Sequence, residues 1–246
     1  MPNFGNPAEM LTADAFTVDT TPKHQIGMRA QTRDGRAFRY VKVGASALVA
    51  GNAVQGPATV ANHLALTPSA ASISALQVVA TLGATAAAAN DYADGWVQID
   101  TTPGNGFMYS ISGHAAVVSS GVLTANLYPD DSVQVALTSS SRVGFIPNPH
   151  NGVIQLPVTT ATGTLVGVAV YPIAAASYGW IQTWGPAAVL IAGTPALGAL
   201  VMSPGTAAGA AVVITTTNLI VAQIVGSMMQ VGVDGRNNAV FVKIQP

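Results

Sequence analysis

The chain has 246 residues and a formal net charge of −1; half its residues are apolar and only 8% are charged, where ordinary soluble domains carry about a quarter charged residues. That balance excludes a general electrostatic attraction to nucleic acid. The absence of cysteine excludes disulfides and thiolate metal sites, leaving packing and association to supply stability. So little charge fits either a membrane protein or a protein whose surface is covered by neighbours. The membrane reading fails on length. The longest apolar stretch, Pro186 to Met202, is broken by Gly193, Pro195 and Gly198, short of the ~20 uninterrupted apolar residues a spanning helix needs. Aromatics make up 6% of the chain, too few for the girdles of a transmembrane barrel.

In chain order, residues 1–24 predict an extended N-terminal arm punctuated by Pro2, Gly5, Pro7 and Pro22, with apolar Phe4, Met10, Leu11, Phe16 and Val18 available to dock on a neighbour. The polar start, Met1 to Met10, has no signal-peptide core, so synthesis in a cytoplasm is expected. From Gln25 onward the text reads as short strands between turns. Clean alternation marks Phe38 to Val43, Trp96 to Ile99, Val133 to Leu137, Ile181 to Trp184 and Val240 to Ile244. Only the Ala-rich stretch from Ala70 to Asn90 stays open: its alanines allow a short helix, whereas Thr81, Gly83 and Thr85 argue for strand or loop.

Two echoes run along the chain. Tyr92 to Ile99 resembles Tyr178 to Trp184, and Ala47 to Val54 resembles Val189 to Leu197, with a weaker copy at Ala115 to Leu127. The turn-rich Pro147 to Gly152 offers a join. The expected architecture is all-β: two related small β-barrel or β-sandwich lobes, residues 25–147 and 152–246, behind the arm.

No sequence motif for catalysis stands out. P-loop, G-x-S-x-G and H-E-x-x-H patterns are missing, and His24, His63, His114 and His150 are far apart in the text. Asp91, Asp94, Asp100, Asp130 and Asp131 sit in turn-like contexts, where carboxylates cap their own backbone. The expectation is therefore no catalytic residues, no metal and no cofactor. Six of the nine basic residues (Lys23, Arg29, Arg33, Arg36, Arg39 and Lys42) fall within twenty positions. Arranged on an alternating strand, Arg29, Arg33, Arg36, Arg39 and Lys42 are the candidate docking residues, facing carboxylates of a partner. Trp96, Trp180 and Trp184 are candidates for lobe core or subunit contact.

With Asp34-Gly35 before the strand Phe38 to Val43, the turn Ala50-Gly51, the line Val166 to Ala174 and the distinctive Tyr178-Gly179-Trp180-Ile181-Gln182 strand, the chain resembles the head decoration (cement) proteins of tailed bacteriophages. The resemblance implies a virion protein, made in the bacterial cytoplasm, that sits on the capsid exterior as a homotrimer and clamps adjacent major capsid subunits. It implies neither a nucleic-acid nor a membrane partner. A carbohydrate-binding or host-attachment module of a head fibre or tail is the alternative, with Trp180 as a sugar platform; a β-rich hydrolase is a third reading.

Overall fold

The computed structural model describes residues 8–158, 160–215 and 223–245. These form an all-β protein whose only helical segments are two short 3-10 turns, Thr12–Phe16 and Ala61–His63. In chain order the strands are β1 (Ala8–Glu9), β2 (Val18–Asp19), β3 (Arg29–Gln31), β4 (Ala37–Val43) and β5 (Ala53–Gln55), then β6 (Gln77–Thr81), β7 (Trp96–Thr101), β8 (Met108–Gly113), β9 (Val122–Leu127) and β10 (Arg142–Ile146). They continue as β11 (Asn151–Gln155), β12 (Leu165–Ala169), β13 (Tyr178–Ile191), β14 (Leu200–Ser203), β15 (Val212–Val213), β16 (Gln223–Met228) and β17 (Arg236–Lys243). The Ala-rich stretch is strand β6 flanked by turns, since β-branched Val78 and Val79 pair with β9.

The chain divides differently from two consecutive lobes. Met1–Pro57 and Pro149–Pro246 make one compact unit, and Ala58–Asn148 make the other, inserted within it. The turn-rich join near residue 148 is a true boundary, but residues 25–57 belong with the C-terminal half. A second boundary, at Gly56-Pro57-Ala58, closes the insertion. A Cβ on Gly56 would lie 2.7 Å from the Pro149 carbonyl, so the chain leaves the larger unit and returns to it at one point.

In the larger unit, β4 pairs with β11, β11 with β5, β5 with β12, β12 with β13, and β13 with β4 again. That ring is a closed five-stranded barrel, narrow enough for side chains to fill it. Val41, Val43, Leu48, Val54, Val153, Val166, Ile173 and Ile181 do so, each burial contributing roughly 1.5–3 kcal/mol. Strand β13 is 14 residues long and serves two purposes. Its first half belongs to the barrel; its second half pairs with β17, and the order β13-β17-β16-β14-β15 follows. A parallel bridge from Ile191 to Ala211 brings the far end of that sheet back to β13. Val189, Ile191, Val201, Val225, Met228, Val240 and Val242 pack within this second layer.

The N-terminal segment is not a free arm. Residues 1–7, including Phe4, lie outside the described residues. Beyond them, β1 pairs parallel with β3 and β2 pairs antiparallel with β13. Met10 and Ala15 pack on Ala30, Phe38, Tyr40 and Trp180, covering the outer face of the barrel. Met10 and Ala15 find their partners within the same unit, whereas Leu11 stays exposed.

The inserted unit is a five-stranded sheet, β10-β7-β8-β9-β6. Leu66 bridges to Val143 and Pro68 to Ala80, so the segment between them spans the gap from β10 to β6. Val97 and Ile99 of β7 point inward and Gln98 and Asp100 outward, the period of a half-buried strand. Tyr109, Ile111, Leu123 and Phe145 complete the core.

One local device recurs in both units. Leu48, Ala71, Ala87, Val117 and Ile173 each form an isolated bridge. The four residues after each close a hydrogen-bonded turn (49–52, 72–75, 88–91, 118–121, 174–177), whose third residue has positive φ: Gly51, Ser74, Asn90, Ser120 and Ala176. This is the type II arrangement. Residues 138–141 repeat the hydrogen bond without positive φ, and 196–199 repeat it with Gly198. The echoes in the sequence are copies of this corner rather than of a whole lobe. Gly51 and Ser120 are equivalent; Gly193 also has positive φ, but its N–H is held by the Asp234 carboxylate at 2.6 Å instead. Trp96 and Trp180 resemble each other because both strands leave such a corner.

Candidate functional site

The five candidate docking residues do not share an exposed face. Both faces of β4 are buried, Phe38 and Tyr40 on one side and Ala37, Val41 and Val43 on the other. Lys42 follows Phe38 and Tyr40 on the outer side, whereas Arg39 continues the interior row of Val41 and Val43. Arg36 donates to the Asp34 carboxylate at 2.8 Å and lies 5.8 Å over the Phe38 ring. Thr32 and Arg36 together hold the Asp34 carboxyl below its ordinary range. Arg33 is exposed beside a 500 Å³ cleft that it lines with Glu9, Met10, Leu11, Thr12 and Asp14.

Only two of the five meet. Arg29 and Arg39 are directly opposite across the antiparallel β3–β4 pair, which places Cβ atoms about 5 Å apart on one face. Arg39 donates from Nη1 to the Gly27 carbonyl at 2.8 Å, but Nε of both arginines is buried without a partner. His150 lies beside them just before β11, its carbonyl accepting the Lys42 N–H at 3.0 Å. Burial first, and then the Arg39 charge, pulls its imidazole down to about 4. Burial and the Arg29 charge likewise push the Arg39 guanidinium down. Among the described residues the ion pairs are Asp19–Lys23 and Asp34–Arg36, neither of them here.

On the outer face, Tyr40 donates its hydroxyl to Asp19 at 2.8 Å and accepts the Lys23 N–H at 3.2 Å. Burial and the Asp19 bond push the Tyr40 phenol up to about 12. Rings of Trp180 and Tyr40 meet at 5.1 Å, and Trp180 is only 4% exposed. It is core, and no sugar can stack on it. Trp184 is half-buried against Phe241, with ring centroids 5.5 Å apart. Trp96 is half-buried at the start of β7, opposite Ser110 and Ile146. Near the bend in β13, Gln182 donates to the Trp184 and Pro186 carbonyls while its Oε1 stays buried without a partner. It borders a 470 Å³ groove with Arg36, Pro186, Met229 and Asn237.

The inserted unit brings together two histidines that are far apart in the text. His63 and His114 flank Tyr92, with ring centroids 5.7 and 5.6 Å away. His63 Nε2–H donates to the Thr85 carbonyl, so its Nδ1 accepts from the Tyr92 hydroxyl. His114 Nδ1–H donates to the Ala115 carbonyl, so its Nε2 accepts the Tyr92 N–H at 3.1 Å. Both rings have all their nitrogens committed, which is the signature of a structural cluster. Asp91 caps its own turn as expected, accepting from Ala88 N–H at 2.7 Å, whereas Asp131 accepts from the distant Ser110 N–H at 2.6 Å and Asp94 from the Tyr128 hydroxyl at 2.5 Å. Ser112 donates to Asn126 and Leu127 carbonyls rather than meeting His114. Among the described residues, no group of His, Asp or Glu is disposed to hold a metal ion.

Surface exposure supplies the feature that residue chemistry did not point to. Leu11, Ile73, Val118, Val122, Leu197 and Val231 are each 60–74% exposed. Some are contiguous: Gly198 N–H bonds to the Met228 carbonyl and Gly232 N–H to the Pro195 carbonyl. Those two bonds seat the 196–199 corner beside the β16–β17 loop, so Leu197, Met229, Val231 and Val233 gather at one end of the larger unit, all exposed. An alternating pattern gave no warning of it, because these residues sit in turns. Comparison with known proteins returned no match: no family model, curated protein or solved structure matches this chain.

Proposed function

We propose that the protein is a structural virion subunit that binds the outer surface of a phage capsid and stabilises the shell by holding adjacent major capsid subunits. The observation that carries this reading is the exposed apolar cluster of Leu197, Met229, Val231 and Val233 on a chain with only 8% charged residues. Contiguous exposed apolar surface marks an interaction site, and depletion of Glu and Lys is the composition of interface cores. Contacts of modest individual strength, repeated by capsid symmetry, give avidity without a large single interface. Self-association as a homotrimer belongs to the same reading. The docking surface is reassigned from the β4 basic strand to this cluster, since β4 is covered on both faces. The test is binding of purified protein to expanded empty heads, scored by co-sedimentation and by the temperature at which the heads disrupt. Binding with a raised disruption temperature supports the proposal, and its absence overturns it. Burial of Trp180 removes the platform on which the carbohydrate-binding alternative stood.

A further inference from the structure

We infer that Arg29 and Arg39 form an oxyanion seat at one mouth of the five-stranded barrel, fitted to the two oxygens of a carboxylate or phosphate. Two guanidiniums directly opposite each other on neighbouring strands repel, and such like-charge pairs destabilise a sheet. Surface pairs escape by turning into water; here both Nε atoms are buried and have no acceptor. Burial of a donor without an acceptor is itself unfavourable. Both conditions are relieved by one negatively charged group with two acceptor oxygens, the geometry for which the planar guanidinium fork is suited. Among the described residues, no carboxylate supplies it. Glu9, which the β1–β3 register places opposite Gln31, two residues along from Arg29, makes no ion pair within 4.0 Å. Asp34 is committed to Thr32 and Arg36. Arg39 is already anchored through Nη1 to Gly27, so the seat is held in place before any ligand arrives. By strand alternation Arg39 lies on the same side of β4 as Val41 and Val43, which pack in the barrel interior.

The ligand chemistry is shared by inorganic phosphate and by a carboxylate carried on a partner's side chain, and the experiment separates them. The full-length protein is titrated by calorimetry and by thermal melting with sodium phosphate, and separately with a capped Gly-Asp-Gly peptide. Sodium chloride at matched ionic strength is the reference for both. Saturable binding of either probe, with a rise in melting temperature over chloride, is expected. Phosphate alone identifies a free oxyanion as ligand; the peptide alone, or both, identifies a side-chain carboxylate as sufficient. In Arg29→Met and Arg39→Met the binding should weaken at least tenfold, and Arg29→Met should melt no lower than wild type in chloride, because the repelling partner is gone. Circular dichroism establishes that each variant is folded. No saturable binding of either probe by the wild type, or undiminished binding by Arg29→Met, overturns the inference. The seat stands independently of capsid binding: wild type that binds phosphate but not heads overturns only the proposed function.

Discussion

Each unit buries histidine beside polar neighbours, and the two solve that problem in opposite ways. Around Tyr92, every ring nitrogen of His63 and His114 has a partner of matching kind, and the tautomers follow from the two carbonyl acceptors. Around Arg39, a buried imidazole sits beside two cations whose buried Nε donors have no acceptor. The first arrangement is complete within the chain and explains itself as structure. The second is stable only against an opposing force elsewhere in the fold, which is how a binding site differs from a core.

The contrast can be broken by experiment. The largest effect is expected at the exposed apolar cluster of the larger unit: Val231→Asp should abolish head binding while leaving the melting temperature within a degree or two, because Val231 is 63% exposed and surface substitutions rarely exceed about 0.5 kcal/mol. Head binding unchanged by Val231→Asp would move the docking surface elsewhere. Next is pH. His150 falls from 6.5 in the unfolded chain to about 4 in the fold, so the unfolded state binds the extra proton between those values. Stability is therefore full above about pH 6.5 and declines as pH drops towards 4, by up to about 3 kcal/mol. Urea melts at pH 7 and 4.5 should show the loss, and His150→Gln should flatten it. Phosphate in the Arg29–Arg39 seat should shrink it too, by easing protonation of the neighbouring ring. On the complete side, Tyr92→Phe strands His63 Nδ1 and should cost about 1–3 kcal/mol, read from the urea melt at pH 7.

The smallest expected effect tests what the units share. Ala176 in the larger unit and Ser74 in the inserted one both hold positive φ at the third position of the corner, a conformation that disfavours a Cβ by about 1 kcal/mol. Ala176→Gly and Ser74→Gly should each raise stability by up to about that much. A gain in only one of them would show that the corners are not equivalent.

The fold class was legible because strand alternation is local: Phe38 to Val43 and Trp96 to Ile99 carry their burial in their spacing. Domain division was not, because pairing of β4 and β5 with β11 to β13 spans the whole insertion, and no local pattern records a partner so distant. The repeat was legible as text but misassigned in scale; Val49 to Asn52 and Val118 to Gly121 copy a four-residue turn. The arrangement of the basic residues was not legible for a related reason. A period of two shows that β4 has two faces but cannot show that both are covered, or that Arg29 lies opposite Arg39. That juxtaposition depends on the β3–β4 register, and His150 joins it only through β11.

The double service of β13 sets an order of events during synthesis. The barrel cannot close before Trp184 of β13 has been made, 127 residues after Pro57 (184 − 57), the end of the first stretch of the larger unit, and the second layer waits for β17. At ~5–20 residues per second, β3, β4 and β5 wait on the order of ten seconds for their partners. In that interval the inserted unit, whose strands are contiguous in the chain, already has everything it needs to fold. The nascent protein thus presents a finished small inserted unit beside unpaired apolar strands. In that interval the scarcity of charge leaves those apolar strands a hazard for aggregation, and the emergence of β13 ends it.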